Sequence, residues 1–135
     1  MKKGLKKNSK RVTVEALVAQ GNNAVSTMQP ELAVKFFERA IGMSPQDTNI
    51  MDALADVHLQ LDNQEEALEL LLMSTSLAPE VNPFKWLYLA QLQDGLDSVT
   101  TYLKGISMLE LLINNRPDDL DVSLRNQIYC RRYLN

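Results

Sequence analysis

Two pairs of side chains in this chain are of types that could do chemistry: a cysteine with a histidine, and two neighbouring aspartates. Cys130 and His58 are each the only residue of their kind, and a thiol beside an imidazole could act as a nucleophile with its base. The sequence contains no glycine-rich phosphate loop, no paired-histidine metal motif and no dinucleotide fingerprint. We therefore expect no enzyme activity, no cofactor and no metal, and a structural role for both residues.

The aspartates, Asp52 and Asp56, are four residues apart. On a helix this spacing places both carboxylates on one face, where their negative potentials add. Such a face is either a solvated acidic surface or part of a groove for a lysine- or arginine-rich segment, where charge complementarity increases the association rate and the selectivity.

The charge of the chain is unevenly distributed. Residues 1–11 hold six of the 14 basic side chains, and the remaining residues carry the other eight together with all 17 acidic ones, a net charge of −9. An acidic body is a poor match for the phosphates of nucleic acids and a better one for a basic protein or peptide. Residues 1–11 are interpreted as a basic disordered tail, with a nuclear-import or electrostatic-anchoring segment as the alternative.

The length of 135 residues suits one domain, which we place at residues 12–135, and we expect it to be a monomer. No apolar run reaches the roughly 18 residues of a membrane-spanning helix. No apolar secretory segment follows the basic start, so we expect no secretion. The single cysteine excludes an internal disulfide and suits a reducing compartment.

An internal repeat indicates which elements position the aspartates. When the sequence is shifted by 34, its large, small and proline positions coincide. The matched pairs are Leu17 with Met51, Gln20 with Leu54, Gly21 with Ala55, Ala24 with His58, Ala33 with Ala67, Phe37 with Leu71, Ala40 with Ser74 and Pro45 with Pro79. An altered third unit follows, with Trp86, Leu89 and Ala90 in the large, leucine and small positions and with a shortened internal turn.

This pattern resembles the tetratricopeptide repeat family, whose unit is a pair of antiparallel helices. The resemblance implies an all-α solenoid of about three helix hairpins plus a C-terminal capping helix that covers the last apolar face. His58 then falls in a packing position. We expect helices at about 13–27, 30–42, 48–61, 64–77, 83–93, 97–114 and 119–132.

In this family the first helix of each hairpin lines the concave side of the superhelix, and that projection supplies candidate partner-binding residues. They comprise acidic side chains for charge pairing, amides for hydrogen bonds to a peptide backbone, and two apolar contacts: Glu15, Asp52 and Asp56; Asn22, Asn49 and Gln91; Leu59 and Tyr88. Family members that hold acidic chaperone tails use a basic clamp on this side, which the acidity of Asp52 argues against.

The stretch from Phe84 to Leu92, followed by the short turn and Tyr102 to Ile106, is similar to the dedicated assembly chaperones of large-subunit ribosomal protein four. That resemblance implies a binding protein that shields the basic internal loop of the ribosomal protein during ribosome assembly, in the cytoplasm and the nucleus. The alternative is a generic tetratricopeptide scaffold for protein–protein interaction in a multiprotein complex. The chaperone hypothesis predicts salt-sensitive binding that is lost in Asp52→Lys/Asp56→Lys, whereas a scaffold would bind through apolar surface with little effect of salt.

Overall fold

The computed structural model describes residues 11–115, which form six α-helices. Consecutive helices pair as three hairpins, and each hairpin packs on the next through its second helix. The predicted all-α architecture of three helix hairpins is therefore confirmed. The helices are α1 (Val14–Ser26), α2 (Pro30–Met43), α3 (Thr48–Gln60), α4 (Gln64–Leu77), α5 (Lys85–Gln91) and α6 (Gly95–Asn115).

Some expectations concern residues outside the described part of the chain. They are the basic tail (apart from residue 11), the capping helix over 119–132 and the role of Cys130. Within residues 11–115, every helix is too short or too polar to cross a membrane.

The turns inside the first two hairpins are built alike, at equivalent positions of the repeat. Met28 and Asp62 have positive φ values of 58° and 60°. After each of them the next residue, Gln29 or Asn63, donates its backbone N–H to the carbonyl oxygen five residues earlier, at 2.8 Å in both turns. A left-handed residue followed by this hydrogen bond is a Schellman helix end. The sequence period therefore has a counterpart in the backbone.

The third hairpin departs from this pattern. Its first helix, α5, has only seven residues, and α6 begins at Gly95, which has a φ of +60°. The predicted helices over 83–93 and 97–114 were therefore too long at α5 and began two residues too late at α6. The outer face of α6 keeps Leu96, Val99 and Leu103 exposed.

The packing within the first hairpin depends on a close approach at Gly21. The ring of Phe37 is buried, and a Cβ atom at Gly21 would lie only 2.6 Å from its Cε1 atom. Glycine therefore lets the aromatic ring of α2 lie directly against the backbone of α1. Gly105 has the same role in the third hairpin, where a Cβ atom would lie 2.8 Å from the Cβ atom of Trp86.

The core follows the repeat positions, with one exception. Buried apolar residues of α1, α2 and α3 form one cluster, and a second cluster joins α3, α4 and α5. Leu54 and Leu89 are buried in the leucine position of the second and third units, whereas Gln20, in the same position of the first unit, is exposed. Gln20 therefore lies outside the core of the first unit.

We expect Gly21→Ala to lower the free energy of unfolding by about 1–2 kcal/mol, because overpacking against Phe37 outweighs the better helix propensity of alanine. The matched control is Gly42→Ala in α2, where a Cβ atom would have nothing within 4 Å. This control should raise the free energy of unfolding by up to about 1 kcal/mol. Urea unfolding followed by circular dichroism measures both, and an equal gain in the two variants would contradict the close approach.

Candidate functional site

A groove of about 380 Å³ lies between α3 and α5, the first helices of the second and third hairpins. One wall is a single face of α3, with residues spaced three and four apart: Asn49, Asp52, Asp56 and Leu59. The opposite wall comes from α5 and the segment before it: Asn82, Phe84, Lys85 and Tyr88. An apolar floor completes the lining of this α3–α5 groove: Ala53, Ala55 and Leu71.

The structure brings five of the eight candidate residues together in this groove: Asn49, Asp52, Asp56, Leu59 and Tyr88. The other three, Glu15, Asn22 and Gln91, are exposed but do not line it. Glu15 and Asn22 lie on α1, at the positions of the first unit that correspond to Asn49 and Asp56, and Gln91 is the last residue of α5. The groove is therefore formed by the second and third units.

Lys85 is a member of the groove that the sequence analysis did not identify. Its side chain is fully buried, and its ammonium donates three hydrogen bonds, at 2.5 Å to the carbonyl oxygen of Ala78, 3.0 Å to Ser74 Oγ and 3.1 Å to the carbonyl oxygen of Ser74. An ammonium has three N–H groups, so its donor capacity is filled. Both carbonyls lie at the C-terminal end of α4, where the helix dipole favours a cation.

Asp52 completes this network from α3. Its Oδ1 atom accepts a hydrogen bond from Ser74 Oγ at 2.6 Å, and its Oδ2 atom accepts one from Asn82 Nδ2 at 3.1 Å. Burial lowers the pKa of Lys85, and the nearby negative charge of Asp52 opposes that shift. The side chains of Asp52, Ser74, Asn82 and Lys85 therefore connect α3, α4 and the start of α5. Within this network the charge of Asp52 balances that of the buried ammonium.

Asp56 is in a different situation. Its carboxylate is exposed in the groove and has no hydrogen-bond or ion-pair partner within residues 11–115. Partial burial raises the pKa of Asp56, and the charge of Asp52 raises it further. Of the two aspartates on this face, Asp56 is the one available to a ligand.

The α5 wall contributes exposed aromatic surface. Phe84 and Tyr88 are 38% and 41% exposed, and the backbone N–H of Tyr88 donates to the carbonyl oxygen of Phe84 at 3.3 Å. The two rings therefore project one helical turn apart. Trp86 has a packing role instead, since it packs against the second core cluster and its Nε1 donates to the carbonyl oxygen of Pro79 at 2.9 Å.

His58 occupies a packing position, as predicted. It is buried, and its Nδ1 lies 3.2 Å from the side-chain amide nitrogen of Asn63. Within the described part of the chain, no group of three or more histidine, cysteine, aspartate and glutamate side chains is arranged to hold a metal ion.

The repeat register contains the signal that could have identified the Lys85 network. Lys85 in the third unit stands at the position of Ile50 in the second, and Ile50 is buried. Ser74 stands at the position of Ala40 in the first unit, and Ala40 is fully buried as well. Two polar residues in apolar positions of consecutive helices indicate an internal hydrogen-bonded pair, because an unpaired one would be costly to bury.

Solved structures show the same fold at low sequence identity. The assembly chaperone of RpL4 (Acl4, residues 1–338) superposes with a TM-score of 0.72 and 18% identity over 87% of this chain and 48% of that one. A MamA protein matches with a TM-score of 0.65 and 16% identity, over 82% of this chain and 60% of that one. The Sgt2 tetratricopeptide domain from Aspergillus fumigatus gives a TM-score of 0.60 and 15% identity, over 88% and 76% of the two chains.

These similarities establish a tetratricopeptide-type fold. The chain spans about half the length of the assembly chaperone and 60% of the MamA protein. No family model and no curated protein matches the sequence.

Lys85→Met should lower the free energy of unfolding by about 1–3 kcal/mol, because it removes the three hydrogen bonds that the ammonium donates to Ser74 Oγ and to the carbonyl oxygens of Ser74 and Ala78, and leaves the charge of Asp52 without its buried counter-charge. The methionine preserves most of the buried volume. Lys104→Met, an identical change at an exposed position of α6, should change it by no more than about 0.5 kcal/mol. Urea unfolding of the two variants measures this difference. Equal stabilities would mean that the ammonium does not hold the α4–α5 junction together.

Proposed function

We propose that this chain binds a basic protein segment in the α3–α5 groove, as a dedicated chaperone that shields a basic ribosomal protein segment during ribosome assembly. The observation that carries the proposal is the contrast between Asp56 and Lys85. Within residues 11–115 the carboxylate of Asp56 faces the groove without a partner, whereas the ammonium of Lys85 is buried and donates all its hydrogen bonds to acceptors within the chain. The groove therefore presents negative charge to a ligand.

The ribosomal client is supported by the similarity to the assembly chaperone of RpL4. In our proposal the basic loop of the corresponding ribosomal protein is held by reversible charge neutralisation, without nucleotide or cofactor, in the cytoplasm and the nucleus. Asn49 and the more distant candidates Glu15, Asn22 and Gln91 would extend the contact by charge pairing and by hydrogen bonds to the client backbone. Leu59 and Tyr88 would add apolar contacts.

A scaffold that binds partners through apolar surface is the second candidate. It is favoured by the exposed Leu96, Val99 and Leu103, which follow one side of α6. Such binding would be almost independent of salt and of the groove carboxylates, so one experiment separates the two functions.

That experiment titrates the purified chain with a peptide of the basic ribosomal loop at low and at high salt. Asp56→Lys should weaken binding about tenfold at low salt, because it replaces an attraction by a repulsion, and about 1 M salt should remove most of the difference. Asp52→Lys is a poor test, since it would break the Lys85 network. A loss of binding could then result from unfolding and not from the changed charge.

The matched control is Glu69→Lys, the same reversal on the exposed surface of α4 outside the groove. It should weaken binding by less than about twofold, as expected for a distant, screened charge. Equal losses in both variants would indicate general acidity rather than a groove. Tight binding that changes neither with salt nor in Asp56→Lys would favour the scaffold.

Binding of the basic peptide should also depend on pH. The pKa of Asp56 is raised in the free chain, and a bound cation favours the ionised carboxylate, so binding at a pH near this raised pKa should release a proton. Affinity should therefore fall as the pH decreases through this raised value, beginning above the ordinary aspartate pKa of 3.8. Calorimetric titration in buffers of different ionisation enthalpy measures the proton release, and Asp56→Asn should abolish it.

The same pKa shift has the opposite consequence for folding. Because Asp56 binds its proton more tightly in the folded than in the unfolded state, stability decreases as the pH rises through the folded-state pKa. At neutral pH, Asp56→Asn should therefore make the chain slightly more stable while it weakens peptide binding. Asp52→Asn should lower stability, since it exchanges a charged acceptor of the Ser74 hydrogen bond for a neutral amide.

A further inference from the structure

The two walls of the α3–α5 groove differ in chemistry, and the difference limits which cation fits between them. The α3 wall offers the carboxylate of Asp56, which has no hydrogen-bond or ion-pair partner in the part of the chain that the structure describes. The α5 wall offers the aromatic rings of Phe84 and Tyr88. Both rings are partly exposed, and they lie one helical turn apart. A ligand in the groove therefore meets a negative charge on one side and aromatic rings on the other.

A guanidinium group satisfies both walls at once. Its planar edge carries a fork of N–H donors that matches a carboxylate, and its flat face stacks on aromatic rings. It is also less strongly hydrated than an ammonium, so it loses less when it leaves water. A lysine ammonium can pair with Asp56 as a point charge, but it gains less from the aromatic wall because it retains more water.

The remaining lining suits the aliphatic part of such a side chain. Leu59 lies beside Asp56 on the same face of α3, and the buried Ala55 and Leu71 form the floor. The methylene groups of a long basic side chain pack on apolar surfaces of this kind, while its charged end remains in a polar environment. Asp52 is less available to the cation than Asp56, since each of its oxygens already accepts an internal hydrogen bond.

We propose that the α3–α5 groove is an arginine-selective docking site, in which the guanidinium of a partner's arginine lies between the carboxylate of Asp56 and the rings of Phe84 and Tyr88. This inference rests on the proposed function and specifies it. The segment that binds is then defined by a correctly placed arginine, and general basicity is insufficient.

Two peptides of equal length and charge test the inference, one with arginine and one with lysine at every basic position. Fluorescence anisotropy at fixed ionic strength should show the arginine peptide binding about fivefold more tightly, the order expected from guanidinium stacking on exposed aromatic rings. In Phe84→Leu/Tyr88→Leu the affinity for the arginine peptide should fall to that for the lysine peptide. The affinity for the lysine peptide should change little. Tyr102→Leu on α6, outside the groove, serves as the control and should preserve the preference.

The outcomes separate the two proposals. If both peptides bind equally and both lose affinity in Asp56→Lys, the groove remains a binding site for basic segments and arginine selectivity is overturned. An arginine preference that survives in Phe84→Leu/Tyr88→Leu also overturns the inference, because the aromatic wall would not be its source. If neither peptide binds to the folded chain, the proposed function fails and the selectivity fails with it. Circular dichroism of each variant verifies that the chain is folded.

Discussion

The α3–α5 groove depends on one buried ammonium. Lys85 is fully enclosed, and a lysine is tolerated there only because three acceptors fill its donors and Asp52 supplies the counter-charge through Ser74. These bonds fix the end of α4 against the start of α5. They therefore set the distance between the groove walls, and they place Phe84 and Tyr88, on either side of Lys85 in sequence, opposite α3.

The same network separates two carboxylates that look equivalent in the sequence. Asp52 and Asp56 are one turn apart on α3, but Asp52 receives two internal hydrogen bonds, whereas Asp56 has no partner within residues 11–115. Partial burial and the neighbouring charge of Asp52 both disfavour the ionised form of Asp56 and raise its pKa. A group that costs stability without serving the fold is typical of a binding position, where a ligand supplies the missing counter-charge.

Local patterns predicted the fold well because a repeat protein is stabilised by neighbouring contacts. The repeat period, with the turn residues between its helices, located the start of every described helix within a residue or two, and it placed Gly21, Phe37 and His58 in packing positions. The site was only partly predictable. The face carrying Asp52, Asp56 and Leu59 follows from helical spacing, but the hydrogen bond between Asp52 and Ser74 joins residues 22 positions apart. Such a bond depends on how α3 lies on α4, which periodicity alone does not specify.

The departures from the repeat, more than the repeat itself, create the groove. One unit earlier, Val18 stands in the position of Asp52, Ala40 in that of Ser74 and Ile50 in that of Lys85, so the first two hairpins meet through apolar side chains. In the second and third units all three positions become polar. A regular apolar solenoid therefore acquires a charged junction at one place, and the α5 helix that follows is short.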